Sequence, residues 1–279
     1  MRNNNQQGIG LKPIFDTIVF EIKKQRKKFY FFLAVAVLVA LLVGYLLHLI
    51  PGYLLPDTQA EYFSNGLTFI SFLTLFAACL FFSGIICSEF NKRTGFIVFP
   101  KINKYKLILG KYLGNLIIVA FIVTVYYFFL GLLGFFYYGG PINIRIFYSY
   151  CFALLYVITL SSFVTLFSSF LRSETITIII TLIILLIGLN IADQIVTLVF
   201  GDAVEPLYSV SYLSKLITSI LRNPFPNPRY VETPFSGMGR SFVFGSWITP
   251  TVEMGTTLLV IYIVVFFTIA ALLFKRRQL

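Results

Sequence analysis

The stretch "CSEFNKRTGFIVFPKINKYKLILGKYLG" (residues 87–114) carries six Lys/Arg and a single acid, Glu89, and it sits between two long apolar runs. A segment this basic does not cross hydrocarbon, so the runs on either side decide what it is. The chain has 279 residues, of which 58% are hydrophobic and 12% charged, with a mean hydropathy of +0.88. That composition excludes a water-soluble globule. Six runs are long enough to cross about 30 Å of hydrocarbon at about 1.5 Å per helical residue. They cover residues 29–50, 67–87, 113–138, 147–171, 175–200 and 256–274. Barrel strands alternate apolar and polar residues, which these runs do not do. The expected fold is an all-α polytopic membrane protein with a single six-helix transmembrane domain over residues 29–274.

The basic residues orient it. Seven Lys/Arg precede the first run, six lie in the 88–111 loop, one at Arg172 and three in the tail from Lys275, 17 on one side in all. The opposite loops hold five, together with six of the eleven acids. By the positive-inside rule, residues 1–28, the 88–112 loop and the tail 275–279 are expected to be cytoplasmic, as are both termini of this multi-pass cell-membrane protein. The formal charge of +11 is then mostly inner-face charge, which argues against nucleic acid as a partner and for the lipid surface. The first run ends in "LLHLIPGY" with no small-residue cleavage site, so it reads as a retained span and not as a secretory signal.

Catalytic chemistry has little to work with. His48 is the only histidine, which leaves histidine-based metal sites and Ser-His or Cys-His pairs without material; no metal site is expected. Cys79, Cys87 and Cys151 fall within runs two and four and form no CxxC, and they read as buried filler. Gly110-Lys111 is followed by Tyr112, and Tyr105 stands where a P-loop needs its first glycine, so the chain itself does not bind ATP in that way. The chain is not expected to be an enzyme, and no cofactor is expected on it.

Asp193, in "GLNIADQIV", lies about 18 residues into the fifth run, or roughly 27 Å from its inner end. With Asn190 and Gln194 it reads as a polar lining at the outer mouth, or as a snorkelling or capping acid near the interface. In "KPIFDTIVFEIKKQRKK", Ile14, Phe15, Ile18, Val19 and Ile22 recur at helical spacing behind Pro13, with Lys/Arg at the end, which reads as an amphipathic helix on the inner leaflet. Gly110-x-x-x-Gly114 and the row Ser161, Thr165, Ser169 are candidates for close helix packing, within the chain or between two copies. Beyond the fifth run, the exterior segment 201–250 places Leu207, Val210, Leu213, Ile217 and Leu221 on one face, as a helix lying on or dipping into the outer leaflet would. Its continuation, "NPFPNPRYVETPFSGMGRSF", is rich in Pro and Gly and is expected to be irregular.

Within the opening stretch, Thr94-Gly95 interrupts any continuous helix, "FIVF" before Pro100 is too short to span, and Asn103 suits an N-cap for the helix that enters the third run. A compact elbow under the membrane fits these residues better than a solvated linker, and Glu89 has Lys92 and Arg93 at i+3 and i+4 as local ion-pair partners.

Glu89 after the second run, Thr94-Gly95, Pro100, the basic Lys104 and then Gly110-Lys111 resemble the permease subunits of ABC-2 type exporters, the group that includes the gliding-motility and nitrous-oxide-accessory permeases. The likeness departs in detail: Thr-Gly stands in place of Gly-Thr, and Ile102-Asn103-Lys104 in place of Val-Ser-Arg. It extends to the amphipathic entry helix, the six runs and the long exterior segment. The resemblance implies a second permease protomer as partner, in a homodimer joined through spans one and five. Two cytoplasmic ATP-binding cassette subunits would supply ATP and Mg. The 88–112 loop would act as a coupling helix, with Glu89, Thr94, Phe96, Phe99, Pro100 and Lys104 at the joint, and short re-entrant helices would cap the exterior exit between runs five and six. Two other functions fit the residues themselves: a membrane anchor or signalling subunit that binds cytoplasmic partners without transport, and a secondary carrier.

Overall fold

A computed structural model describes residues 12–45, 55–91, 104–237 and 240–276. Six helices among them are long and apolar enough to cross a membrane: Arg26–Gly44, Gln59–Glu89, Tyr105–Tyr138, Arg145–Phe170, Glu174–Ala203 and Val252–Lys275. The chain is built as a multi-pass helical membrane protein. Two helices start well before the apolar runs do. The second span begins at Gln59, where Thr58 Oγ1 accepts a hydrogen bond from Glu61 N at 3.3 Å and an acid occupies the first turn, a cap that starts a helix whatever its hydropathy. The weakly apolar turns that follow are held by Tyr62 and Phe63, both buried, and Tyr62 Oη donates to Gly44 O at 2.9 Å. The third helix likewise starts at Lys104.

The second span is the axis of the bundle. Two thirds of its most apolar window (67%) is buried, against 17% for the fifth and sixth spans, which therefore line the periphery. Ile70, Phe81, Phe82 and Ile85 of the second span pack in one cluster with Val119, Ile122 and Tyr126 of the third and Tyr156, Leu160 and Val164 of the fourth. The sixth span runs along the fourth, and the N-terminal helix Lys12–Lys24 along the third. In lipid, apolar burial alone does little to drive helices together; close packing and interhelical hydrogen bonds decide the arrangement. Tyrosines supply several of those bonds. Tyr126 Oη donates to Gly66 O at 2.6 Å, and Tyr112 Oη reaches Ile158 O at 3.2 Å and the hydroxyls of Ser161 and Ser162 at 2.7 and 3.0 Å. The row Ser161, Thr165, Ser169 is buried inside the chain's own bundle.

Beyond the fifth span the chain departs from the reading of its sequence in two ways. Val210, Leu213, Ile217 and Leu221 fall on the short helices Val210–Leu213 and Leu216–Ser219 and the turn after them, and all four are buried in the common core, not turned towards a leaflet. Polar ties explain the direction: Ser149 Oγ of the fourth span donates to Ile217 O at 2.6 Å, and Arg145 donates to Arg222 O and, at 3.0 Å, to Asn223 Oδ1. The Pro-rich continuation, in turn, is not irregular throughout. Tyr230–Gly237 (β1) and Arg240–Trp247 (β2) pair antiparallel, from Tyr230 opposite Trp247 to Gly237 opposite Arg240. Pro224, Pro226 and Pro228 precede the strands, and Pro234 lies within β1 opposite Val243, where a two-stranded pair has a free edge that tolerates it. The aromatic and β-branched residues of the segment favour strands. Tyr230 lies across Gly245, where a Cβ would come within 1.7 Å of its hydroxyl, so a larger residue there would have to push the Tyr230 ring aside.

Candidate functional site

The N-terminal helix and the near ends of the first five spans meet at the foot of the bundle. The second span breaks at Ser83, between helical segments Ile70–Phe82 and Gly84–Asn91. A break leaves carbonyls and amides without their i±4 partners, and inside a membrane no bulk water replaces them. Ser168, from the end of the fourth span, fills the gap. Its hydroxyl donates to Ser83 O at 2.6 Å and accepts from Ile86 N at 3.1 Å and Cys87 N at 3.2 Å, an N-cap supplied by another helix. Gly84 opens the other side of the break. A Cβ there would lie 3.1 Å from the Glu174 carboxyl, and Glu174 pairs with Lys28 at 2.9 Å. Both of those side chains are more than a third exposed, so that pair ties spans one and five weakly.

The Glu89–Lys111 pair is different in kind. Lys111 Nζ donates to Glu89 Oε1, with side-chain exposures of 4% and 11%, and lies 3.5 Å from Ile85 O. Two desolvated charges thus join the last turn of the second span to the first turns of the third. Removing one partner from a buried pair typically costs about 3–5 kcal/mol, because the remaining charge is stranded. Sequence reasoning assigned Glu89 the local partners Lys92 and Arg93, which lie outside the described residues; it gave no sign of Lys111, 22 positions away.

The N-terminal helix docks on the same turns. Gly110 and Gly114 leave room for it: a Cβ at Gly110 would come within 2.7 Å of Thr17 Cβ, and one at Gly114 within 3.2 Å of Glu21 Cβ. This GxxxG face is therefore occupied within the chain. Thr17 and Glu21 are the buried residues of the helix, while Phe15 and Phe20 stand exposed at 65% and 63%. Glu21 accepts from Lys24 Nζ at 2.9 Å. One turn beyond Lys111, Asn115 is fully buried, and neither its Nδ2 nor its Oδ1 has a hydrogen-bond partner among the described residues.

Of the other residues expected at this joint, Thr94, Phe96, Phe99 and Pro100 lie outside the described residues, as does His48; Lys104 opens the third helix. At the opposite end, Asp193 Oδ2 accepts from Ser209 Oγ at 2.7 Å, tying the fifth span to the short helices. Asn190 is exposed and donates to Leu186 O at 2.7 Å, within the π-helical turn Ile184–Gly188, and Gln194 is also exposed. The three side chains do not meet in one network. A cluster that the sequence did not reveal lies nearby: Glu205 Oε1 accepts from Tyr212 Oη at 2.8 Å and Arg229 Nη1 at 2.7 Å, and Arg229 stacks over Trp247 at 5.7 Å. Burial, reinforced by that bond to Glu205, holds the Tyr212 hydroxyl well above the ordinary tyrosine range. Among the described residues no three His, Cys, Asp or Glu side chains gather as metal ligands would.

No protein-family model matches the sequence, and neither does any curated protein. The functional reading therefore rests on residue chemistry and on the geometry of the foot.

Proposed function

We propose that the chain is the transmembrane permease subunit of an ABC-2 type exporter, paired with a second permease protomer and driven by separate ATP-binding subunits docked at the foot. The observation that carries this reading is the buried Glu89–Lys111 pair. It clamps the two ends of segment 92–103 together, so a force applied to that segment reaches spans two and three as one body. The break at Ser83, capped by Ser168, and the docked N-terminal helix extend the same rigid block to the fourth span and the chain entry. Closely packed blocks of this kind move as units and do not deform continuously.

In this mechanism the cytoplasmic face is the foot, as the 17 basic residues on that side favour. The partner's ATPase sites bind ATP and Mg and close on one another. Phe96 and Phe99, with Thr94, Pro100 and Lys104, seat the segment on the partner, while Glu89 positions it through Lys111. Closure swings the block and opens the path between the two protomers outward. Asp193 and its hydrogen bond to Ser209 hold the exterior cap to the fifth span during that swing. The permease carries no chemistry of its own.

Affinity purification of the full chain from its native membrane in a mild detergent, followed by an ATPase assay, tests the reading. An ATP-binding cassette subunit is expected to co-purify and to hydrolyse ATP, and Glu89→Ala is expected to weaken its binding or its coupling. Recovery of intact permease with no ATP-binding subunit would overturn it in favour of an anchor or a secondary carrier.

A further inference from the structure

Spans three and four, joined by residues 139–144, leave a cavity of about 410 Å³ between them at the head. It runs along the third span from Thr124 to Phe135, a length of about 16 Å at the helical rise. Thr124 lies near the middle of the Tyr105–Tyr138 helix and Phe135 near its end. The groove therefore reaches from the head-side interface to the midplane, about the 15 Å depth of one leaflet's hydrocarbon. Its floor is open at Gly131, where an added Cβ would meet only Ile142 Cδ1, at 4.0 Å. At the deep end the hydroxyls of Thr124 and Tyr150 bond to each other at 2.8 Å, and Thr124 also donates to Ala120 O. No hydrogen-bonding demand is left there for an occupant to meet. The rim is aromatic and faces outward, with Phe128 61% and Phe147 56% exposed.

We infer that this groove is a binding site for one acyl chain of a lipid in the head-side leaflet. The occupant must be apolar, because the lining offers no unsatisfied polar group; it must be narrow, because a helix about 10–12 Å across does not enter such a space. It enters from the bilayer, with which the rim is continuous, and it spans one leaflet with its methyl end against Thr124 and Tyr150. The volume suits a single chain, so a two-chain lipid leaves its second chain outside along Phe128 and Phe147. This site does not depend on the transport reading.

The test uses the full chain in phosphatidylcholine vesicles doped with a phosphatidylcholine that bears a diazirine on one acyl chain. After photolysis, peptide mass spectrometry compares labelling of Phe128, Leu132 and Phe135 with that of Val260 and Val264, exposed residues at similar depth on the sixth span. About tenfold more labelling in the groove is expected, the ratio that 1.4 kcal/mol of preference gives. Gly131→Leu, whose side chain fills the floor, is expected to bring the groove down to the sixth-span level. Equal labelling of the two surfaces in the unaltered chain means ordinary surrounding lipid and overturns the proposal, whether or not the variant folds. Labelling that Gly131→Leu leaves unchanged, or crosslinks joining the groove to peptides of a second copy, overturn it as well.

Discussion

Neutralising Lys111 alone should damage the protein more than removing the whole Glu89–Lys111 pair. In Lys111→Met the Glu89 carboxylate, whose side chain is 11% exposed, remains at the foot without the ammonium that compensates it. The expected loss is about 3–5 kcal/mol, the usual cost of stranding one charge of a buried pair. In the double variant Glu89→Leu/Lys111→Met no charge is stranded, the two apolar side chains occupy similar volume, and stability should return to within about 1–2 kcal/mol of the unaltered chain. Glu89→Leu, which strands Lys111, should cost about as much as Lys111→Met, so the coupling energy between the two sites is about 4 kcal/mol or more, far above the ~0.5 kcal/mol of an exposed pair. The Lys28–Glu174 pair, exposed by 43% and 34%, is the internal control, and Lys28→Met should cost less than about 1 kcal/mol. Reversible unfolding in mixed micelles, followed by far-UV circular dichroism, measures all five proteins. Additive single-variant losses, each below about 0.5 kcal/mol, would show that the pair is solvated and that segment 92–103 is not clamped.

Other residues at the foot give sharper, smaller tests. Ser168→Ala removes the cap on the second-span break and should cost about 1–2 kcal/mol in the same unfolding assay, with amide exchange at Ile86 and Cys87 rising first. Gly110→Leu drives a side chain into Thr17, so the N-terminal helix should lift from the third span; hydrogen exchange across residues 12–24 should speed up, and unchanged exchange would contradict the close approach. Asn115→Leu deletes two buried polar atoms that lack partners among the described residues, and it should be neutral or stabilising by up to about 2 kcal/mol; a loss of stability would mean the amide is satisfied.

Hydropathy made the six spans legible, because that signal is local in sequence. Helix starts were less legible: Gln59–Gly66 is too polar for a hydropathy window, and only the Thr58 cap and the burial of Tyr62 and Phe63 reveal that the second span begins there. The small-residue motif at Gly110 and Gly114 was visible, but a spacing rule cannot say which helix fills it, and the N-terminal helix does. The amphipathic face of residues 207–221 was read correctly as a face and wrongly as a surface, because periodicity tells apolar from polar but not protein from lipid. The Glu89–Lys111 pair, the Ser168 cap and the Glu205–Arg229–Tyr212 cluster were beyond reach, since each joins residues that become neighbours only when separate elements pack. Strand propensity in β1 and β2 was present in the sequence, masked by the prolines before β1 and by Pro234 within it.

The central claim, that a partner ATPase drives this bundle through segment 92–103, is tested most directly by site-specific crosslinking in the native membrane. A photoreactive amino acid at Phe96 should capture an ATP-binding subunit, and the capture should change with nucleotide; the same group at Ile142, at the head of the bundle, should not capture it. Failure of the Phe96 probe to capture any ATP-binding protein, with the permease intact and inserted, would contradict the account.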